Sequence, residues 1–167
     1  MKDLSPHLCR STMEEQKILI TGACGQLGRE LVRELKLNYG KKSIIATDRL
    51  DVVDAKLSGV KYLRVDVTNK AQLQFVIQHE KITQIYHLAA VLSAKGEMDP
   101  AKAWQVNIDG LLNVLELWVR FKVQQVFWPS SIAVFGPDTP KVNTSQHAFT
   151  IPTTIYGISK LSGEYWC

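Results

Sequence analysis

Tyr156 and Lys160 stand four residues apart in TTIYGISK (153–160), a spacing that puts both side chains on one face of a helix. A free phenol ionises near pH 10, so a tyrosine acting as a base near neutrality needs its pKa lowered by roughly two to three units, on the order of 3 to 4 kcal/mol. A neighbouring ammonium pushes that way, and a cationic ring close by would add to it. Ser130 and Ser131 close the stretch QQVFWPSS, 26 and 25 residues upstream of the tyrosine. A hydroxyl there could hold a substrate hydroxyl or carbonyl while a proton moves. Ser131 is the expected partner and Ser130 the other candidate. A YxxxK pair alone recurs by chance on exposed helices, so its weight depends on what precedes it.

What precedes it is TGACGQLG (21–28), directly behind the apolar run Ile18, Leu19, Ile20. Leu27, Leu31 and Leu35 recur as one face of a helix would, so Gly22, Gly25 and Gly28 occupy a strand-to-helix turn. The first N–H groups of such a helix have no partner, and the helix dipole favours an anion there. The turn reads as a phosphate cradle. Glycine suits a sharp bend, a close pyrophosphate and tight helix–strand packing. The spacing is GxxGxxG, one residue looser than GxGxxG. Asp48 closes the next apolar run, twenty residues beyond Gly28, where a dinucleotide fold places the acid that accepts from ribose hydroxyls. The plain alternative is a tight turn followed by an Asp that ends a strand.

These residues need a scaffold. Residues 60–67 read as a strand, 69–80 as a helix capped by Asn69 with Leu73, Val76 and Ile77 on one face, and 84–90 as the next strand. A long helix is expected over 100–122, with proline in its first turn, then a strand over 124–131, a loop over 136–152 and a last helix from 154. Strands alternating with helices imply an α/β fold: a Rossmann-like doubly wound parallel sheet with helices on both faces and a ligand site at the carboxyl ends of the strands. Asp48, Asp66, Ser93, Ser130 and Ser131 all lie near such ends. The 100–122 helix is apolar nearly all round, which predicts the sheet on one side and a subunit partner, or a further segment, on the other.

Composition fits this picture. Of 167 residues, 46% are apolar and 22% charged, which suits a globular domain. The net charge of +4 comes from scattered Lys and Arg, so no nucleic-acid partner is expected. No apolar stretch reaches the length of a membrane span. Cys9, Cys24 and Cys167 form no ligand cluster with His7, His79, His87 and His147, so neither a disulfide framework nor a metal site is expected. Cys24 sits at a helix N-terminus, which lowers a thiol pKa, although a small residue filling a crowded turn would look the same. Residues 1–16 lack the apolar core of a secretory signal and read as an extension outside the fold, with Met13 a second candidate start.

TGACGQLG, the Asp48 position, DVT (66–68), HLAA (87–90), Asn107, PSSIAVFG (129–136) and YGISK (156–160) together resemble the extended short-chain dehydrogenases/reductases, the NAD-dependent epimerase/dehydratase group. Within it, VLSAKGEMDP (91–100), FWPSSIAVFGPDTPK (127–141) and PTTIYGISK (152–160) look like the short-chain-type L-threonine 3-dehydrogenases. The resemblance runs from residue 17 to the end. It implies NAD as cofactor, L-threonine as the small-molecule substrate oxidised to 2-amino-3-oxobutanoate, and a homodimer. Tyr156 would be the base, Lys160 would hold the nicotinamide ribose and lower the tyrosine pKa, and Ser131 would orient the reacting hydroxyl. Ser93 would touch substrate with Ser131 and Tyr156, and Asn107 would support the lysine.

The same resemblance implies cofactor contacts at Gly22, Gly25, Gln26, Leu27, Gly28, Asp48 and Arg49. It adds Asp66 and Val67 at the adenine, Leu88, Ala89 and Ala90 along the cofactor, and Asn107, Tyr156 and Lys160. His87 is expected to be a packed strand-end histidine. Asp48 would repel a 2′-phosphate and so favour NAD over NADP, with Arg49 pulling the other way. Family members continue far beyond the tyrosine–lysine helix, so the chain is expected to carry the cofactor half and to lack part of the substrate half. A nucleotide-sugar epimerase or dehydratase, and a non-catalytic NAD-binding remnant, are the alternatives. The expected location is cytoplasmic, or the mitochondrial matrix in a eukaryote.

Overall fold

The computed structural model describes residues 16–51 and 57–167. In chain order the elements are β1 (Ile18–Thr21), α1 (Gln26–Tyr39), β2 (Ile44–Asp48), β3 (Lys61–Arg64), α2 (Lys70–His79) and β4 (Gln84–His87). There follow α3 (Ser93–Met98), α4 (Pro100–Trp104), a π-helical turn at Gln105–Asp109, α5 (Gly110–Phe121), β5 (Gln125–Phe127) and α6 (Ile155–Trp166). The strands form one parallel sheet in the order β3-β2-β1-β4-β5. That is the doubly wound order, whose direction reverses at β1 and opens a crevice at its carboxyl end.

Side chains of β1 alternate across the sheet. Ile18 and Ile20 enter an apolar cluster with Val32 and Leu35 of α1, while Leu19 enters a second with Leu73, Val76 and Ile77 of α2 and Val114 and Leu117 of α5. With helices on both faces, all four residues of β1 are buried, hence its uninterrupted apolar reading. Thr21 pairs with Thr47 and His87, which aligns three strand ends in one row. The segments 22–28, 48–49 and 88–90 therefore leave the sheet side by side.

Several expectations are corrected. The buried stripe of α1 is Gly28, Val32 and Leu35; Leu27 is 67% exposed and Leu31 only partly buried, because Leu27 stands on the lip of the turn. Strand β3 stops at Arg64 rather than at 67, since Asp66 folds back to accept from the N–H and hydroxyl of Thr68. Strand β4 ends at His87 rather than at 90, and Ala89 N–H turns to the Thr21 hydroxyl. Strand β5 ends at Phe127, two residues before Pro129, which has no N–H for a ladder. The single helix expected over 100–122 is interrupted by the π turn, and α3 was not foreseen.

Asn69 caps α2 by accepting from Gln72 N–H, as its sequence position suggests. On the outer side of the 100–121 helices Trp104 is 37% and Val119 72% exposed, while other faces of the run pack against the sheet, α2, α3 and α6. Of the proposed 1–16 extension only Gln16 lies within the described residues; it accepts from the Thr83 hydroxyl and the Gln84 amide. Cys9, His7 and Met13 lie outside them. No helix among the described residues is long and apolar enough to cross a membrane.

Candidate active site

The glycine turn is shaped by what stands against it. Gly22 adopts φ 68°, and a Cβ there would lie 2.7 Å from Ala89 N; a Cβ on Gly28 would lie 2.4 Å from Gly22 O. Neither position admits a side chain without moving backbone. Within the turn Ala23 N–H is taken by Thr47 O, Cys24 N–H by Asp48 Oδ2 and Gly25 N–H by Gly22 O. Beyond it, Gly25 caps α1 without a side-chain acceptor and no acidic residue occupies the first turn. As the first residues of the helix, Gln26, Leu27 and Gly28 have N–H groups with no acceptor within it, as an anion site requires. Cys24 points away, its thiol 3.7 Å from the Tyr62 hydroxyl. Burial and that thiol raise the Tyr62 pKa, and its hydroxyl donates to Leu50 O.

Asp48 is held by Cys24 N–H on one oxygen and by Leu50 N–H on the other, which leaves lone pairs on both for further donors. Arg49 beside it is exposed, and its carbonyl accepts from Arg64. Burial pushes the Asp66 carboxyl up, but the Thr68 bonds and the Lys102 and Arg49 charges outweigh it and hold the pKa below its usual value. Val67 is a core residue whose carbonyl accepts from the Asn113 amide. Leu88 and Ala89 bond through their N–H groups to Thr21 O and Oγ1, which fastens 88–89 beside the turn; Ala90 follows, half-buried.

The residues expected to move a proton lie on α6 and on the segment leaving β5 that packs against it. Gly157 lets α6 approach: a Cβ would stand 2.2 Å from Ala133 O. Ser131 caps the short turn Ile132–Val134 by accepting from Ala133 N–H, and among the described residues nothing accepts its hydroxyl hydrogen. Ser130 instead donates to Glu164 of α6. Tyr156 is half-buried, and its phenol oxygen has no hydrogen-bond partner among the described residues. Lys160 is 4% exposed, and its ammonium donates to Pro129 O at 2.6 Å, 4.1 Å from the Trp128 ring centre and 5.8 Å from that of Tyr156. Burial lowers its pKa to about 8, partly offset by Cys167. Ser93 opens α3, exposed.

Asn107 joins two segments beside the lysine-bearing helix: its Oδ1 accepts from Val91 N–H at 2.7 Å, and its amide donates to Val91 O and to the Ser159 hydroxyl of α6. Ser159 in turn donates to Tyr156 O. The π turn supplies the register that brings Asn107 inward, a common use of such insertions at functional sites. Gly157 and Ser159 therefore shape the site although neither was singled out in the sequence; the YGISK stretch that contains them was the available signal.

His87 is buried, hydrogen-bonded through Nδ1 to the Thr21 hydroxyl at 2.7 Å, with no partner for Nε2 among the described residues. Burial pushes its pKa down to about 3, and the Lys160 charge adds to that. The folded chain keeps this ring neutral, whereas the unfolded chain takes up a proton below about pH 6.5. The unfolded state then binds more protons, so stability is expected to fall on acidification from about pH 6.5 to about pH 3, by up to about 1.4 kcal/mol per unit. Urea unfolding at several pH values should show that slope in the wild type and a flatter one in His87→Asn.

Residues 18–167 match the model of the NAD dependent epimerase/dehydratase family. An uncharacterized epimerase/dehydratase of Staphylococcus saprophyticus is 43% identical over 153 residues, 91% of this chain and 48% of the relative. The chain thus spans about half the length of the curated relatives it matches. The holo form of an L-threonine dehydrogenase from Cupriavidus necator superposes with a TM-score of 0.87 at 46% identity, covering 90% of this chain and 48% of that one. A UDP-glucose 4-epimerase superposes with a TM-score of 0.80 at 28% identity, covering 90% and 46%. NAD, the cofactor of this family, fits the residues present: a cradle that a Cβ would fill, an uncapped helix turn behind it and an oriented carboxylate at the end of β2. The chain belongs to the NAD-dependent epimerase/dehydratase family.

Proposed function

We propose that this chain forms the cofactor-binding and proton-transfer half of an enzyme that oxidises L-threonine with NAD to 2-amino-3-oxobutanoate, releasing NADH and a proton. The observation that carries the reading is that Lys160 joins the two segments: its ammonium donates to Pro129 O, two residues before Ser131, and stands 5.8 Å from the centre of the Tyr156 ring. Bound NAD supplies the hydride acceptor. Gly22, Gly25, Gln26, Leu27 and Gly28 would hold its pyrophosphate and Asp48 its adenosine ribose. Tyr156 takes the proton from the β-hydroxyl, Ser131 holds that oxygen with its free hydroxyl hydrogen, and the Lys160 charge favours the phenolate. Identity of 46% to a threonine dehydrogenase, against 28% to an epimerase, supports threonine as substrate.

The epimerase likeness is the observation behind a second reading, a nucleotide-sugar substrate at the same residues. The purified chain is tested with NAD and L-threonine, and separately with UDP-glucose. NADH formed from threonine supports the first reading, sugar epimerisation the second. NAD binding without turnover would leave only a cofactor-binding protein. A homodimer through the outer side of α4 and α5 belongs to the same proposal, supported by the exposure of Trp104 and Val119, and sedimentation reads it directly.

A further inference from the structure

One bond joins the helix that begins with Ser93 to the helix that carries Tyr156. Glu97, near the end of α3, accepts the N–H of Ile155, the first residue of α6, at 2.7 Å. Gly96 beside it permits the approach, since a Cβ there would already stand 3.1 Å from Ile155 Cγ2 and 3.4 Å from Ala103 Cβ. The first N–H groups of a helix have no acceptor within it. Thr154 serves Gly157, and Glu97, reaching from another helix, serves Ile155. A carboxylate is favoured at that end by the helix dipole and accepts more strongly than a neutral oxygen.

The consequence is geometric. Ile155 immediately precedes Tyr156, so whatever fixes the Ile155 amide fixes the turn from which the phenol projects. Of the other tethers of α6, Lys160 with Pro129 and Ser130 with Glu164 act on later turns, and Asn107 reaches Tyr156 only through Ser159, on its carbonyl side; Glu97 holds the amide that precedes the tyrosine. We propose that Glu97 is a positioning residue for Tyr156: its carboxylate takes the Ile155 N–H and so holds α3 against the start of the helix that carries the phenol. This rests on the reading of Tyr156 as the base.

Wild type, Glu97→Ala and Glu97→Gln are compared as the full chain; glutamine keeps an oxygen acceptor at the same place. Glu97→Ala is expected to lower kcat for threonine oxidation about 10-fold, because a displacement of about 1 Å in a reacting group costs up to about 100-fold. The NAD Kd should stay within about twofold, since the cradle is built from other elements, and Glu97→Gln should restore most of the rate. Hydrogen exchange at amides 155–157, read without substrate, should quicken by about 10-fold in Glu97→Ala and recover in Glu97→Gln. If no protein, wild type included, oxidises threonine, the functional reading fails and the exchange data alone decide the proposal. Unchanged exchange, an unchanged kcat in an active enzyme, or a kcat loss matched by weaker NAD binding would overturn it.

Discussion

Replacing Tyr156 by phenylalanine is expected to lower threonine oxidation by about 100-fold to 10,000-fold, the range that a positioned proton-transfer group contributes, while NAD affinity stays within about twofold. The phenol oxygen has no partner among the described residues, so its removal orphans no buried group, and the ring that packs near Lys160 remains. Stability should therefore change little, which separates loss of chemistry from loss of fold. Steady-state rates, an NAD titration and a melting curve on the same preparation read all three. Full activity in Tyr156→Phe would place the base elsewhere and remove the role assigned to α6.

The second large effect falls on the glycine turn. In Gly28→Ala the new methyl would stand 2.4 Å from Gly22 O and 2.7 Å from Ala23 Cα, both backbone atoms that no rotamer change can move aside. The turn must open, at a cost of about 1 to 3 kcal/mol in stability. The N–H groups aimed at the pyrophosphate turn with it, so NAD affinity should fall about 10-fold or more, the equivalent of about 1.4 kcal/mol. Gly40→Ala is the control. That glycine has positive φ, 79°, and nothing lies within 4 Å of its would-be Cβ. It should lose stability through backbone strain and leave NAD binding unchanged. Equal NAD affinity in Gly28→Ala and wild type would contradict the cradle.

The order of strands and helices was legible because a sheet covered on both faces yields apolar runs, and because Asn69, Pro100 and the glycines punctuate them. Strand ends were not. Asp66 and Ala89 leave the ladder for the Thr68 and Thr21 groups, and such bonds depend on neighbours distant in sequence. The buried face of α1 is not legible from spacing alone, because Leu27 has the helical spacing of a core residue yet stands at the mouth of the turn. For the site, the types and spacing of Tyr156, Lys160 and Ser131 sufficed to nominate them. That Ser130 turns to Glu164, that Asn107 grips Val91, and that Glu97 reaches Ile155 depend on crossings between helices, which no local pattern encodes.

Calorimetric titration of the 167-residue chain with NAD, beside Asp48→Ala, addresses the central claim first. The expected result is saturable binding that weakens when the Asp48 carboxylate, fixed between Cys24 and Leu50, is removed. A folded chain that shows no saturable binding, or that binds equally well without Asp48, would contradict it.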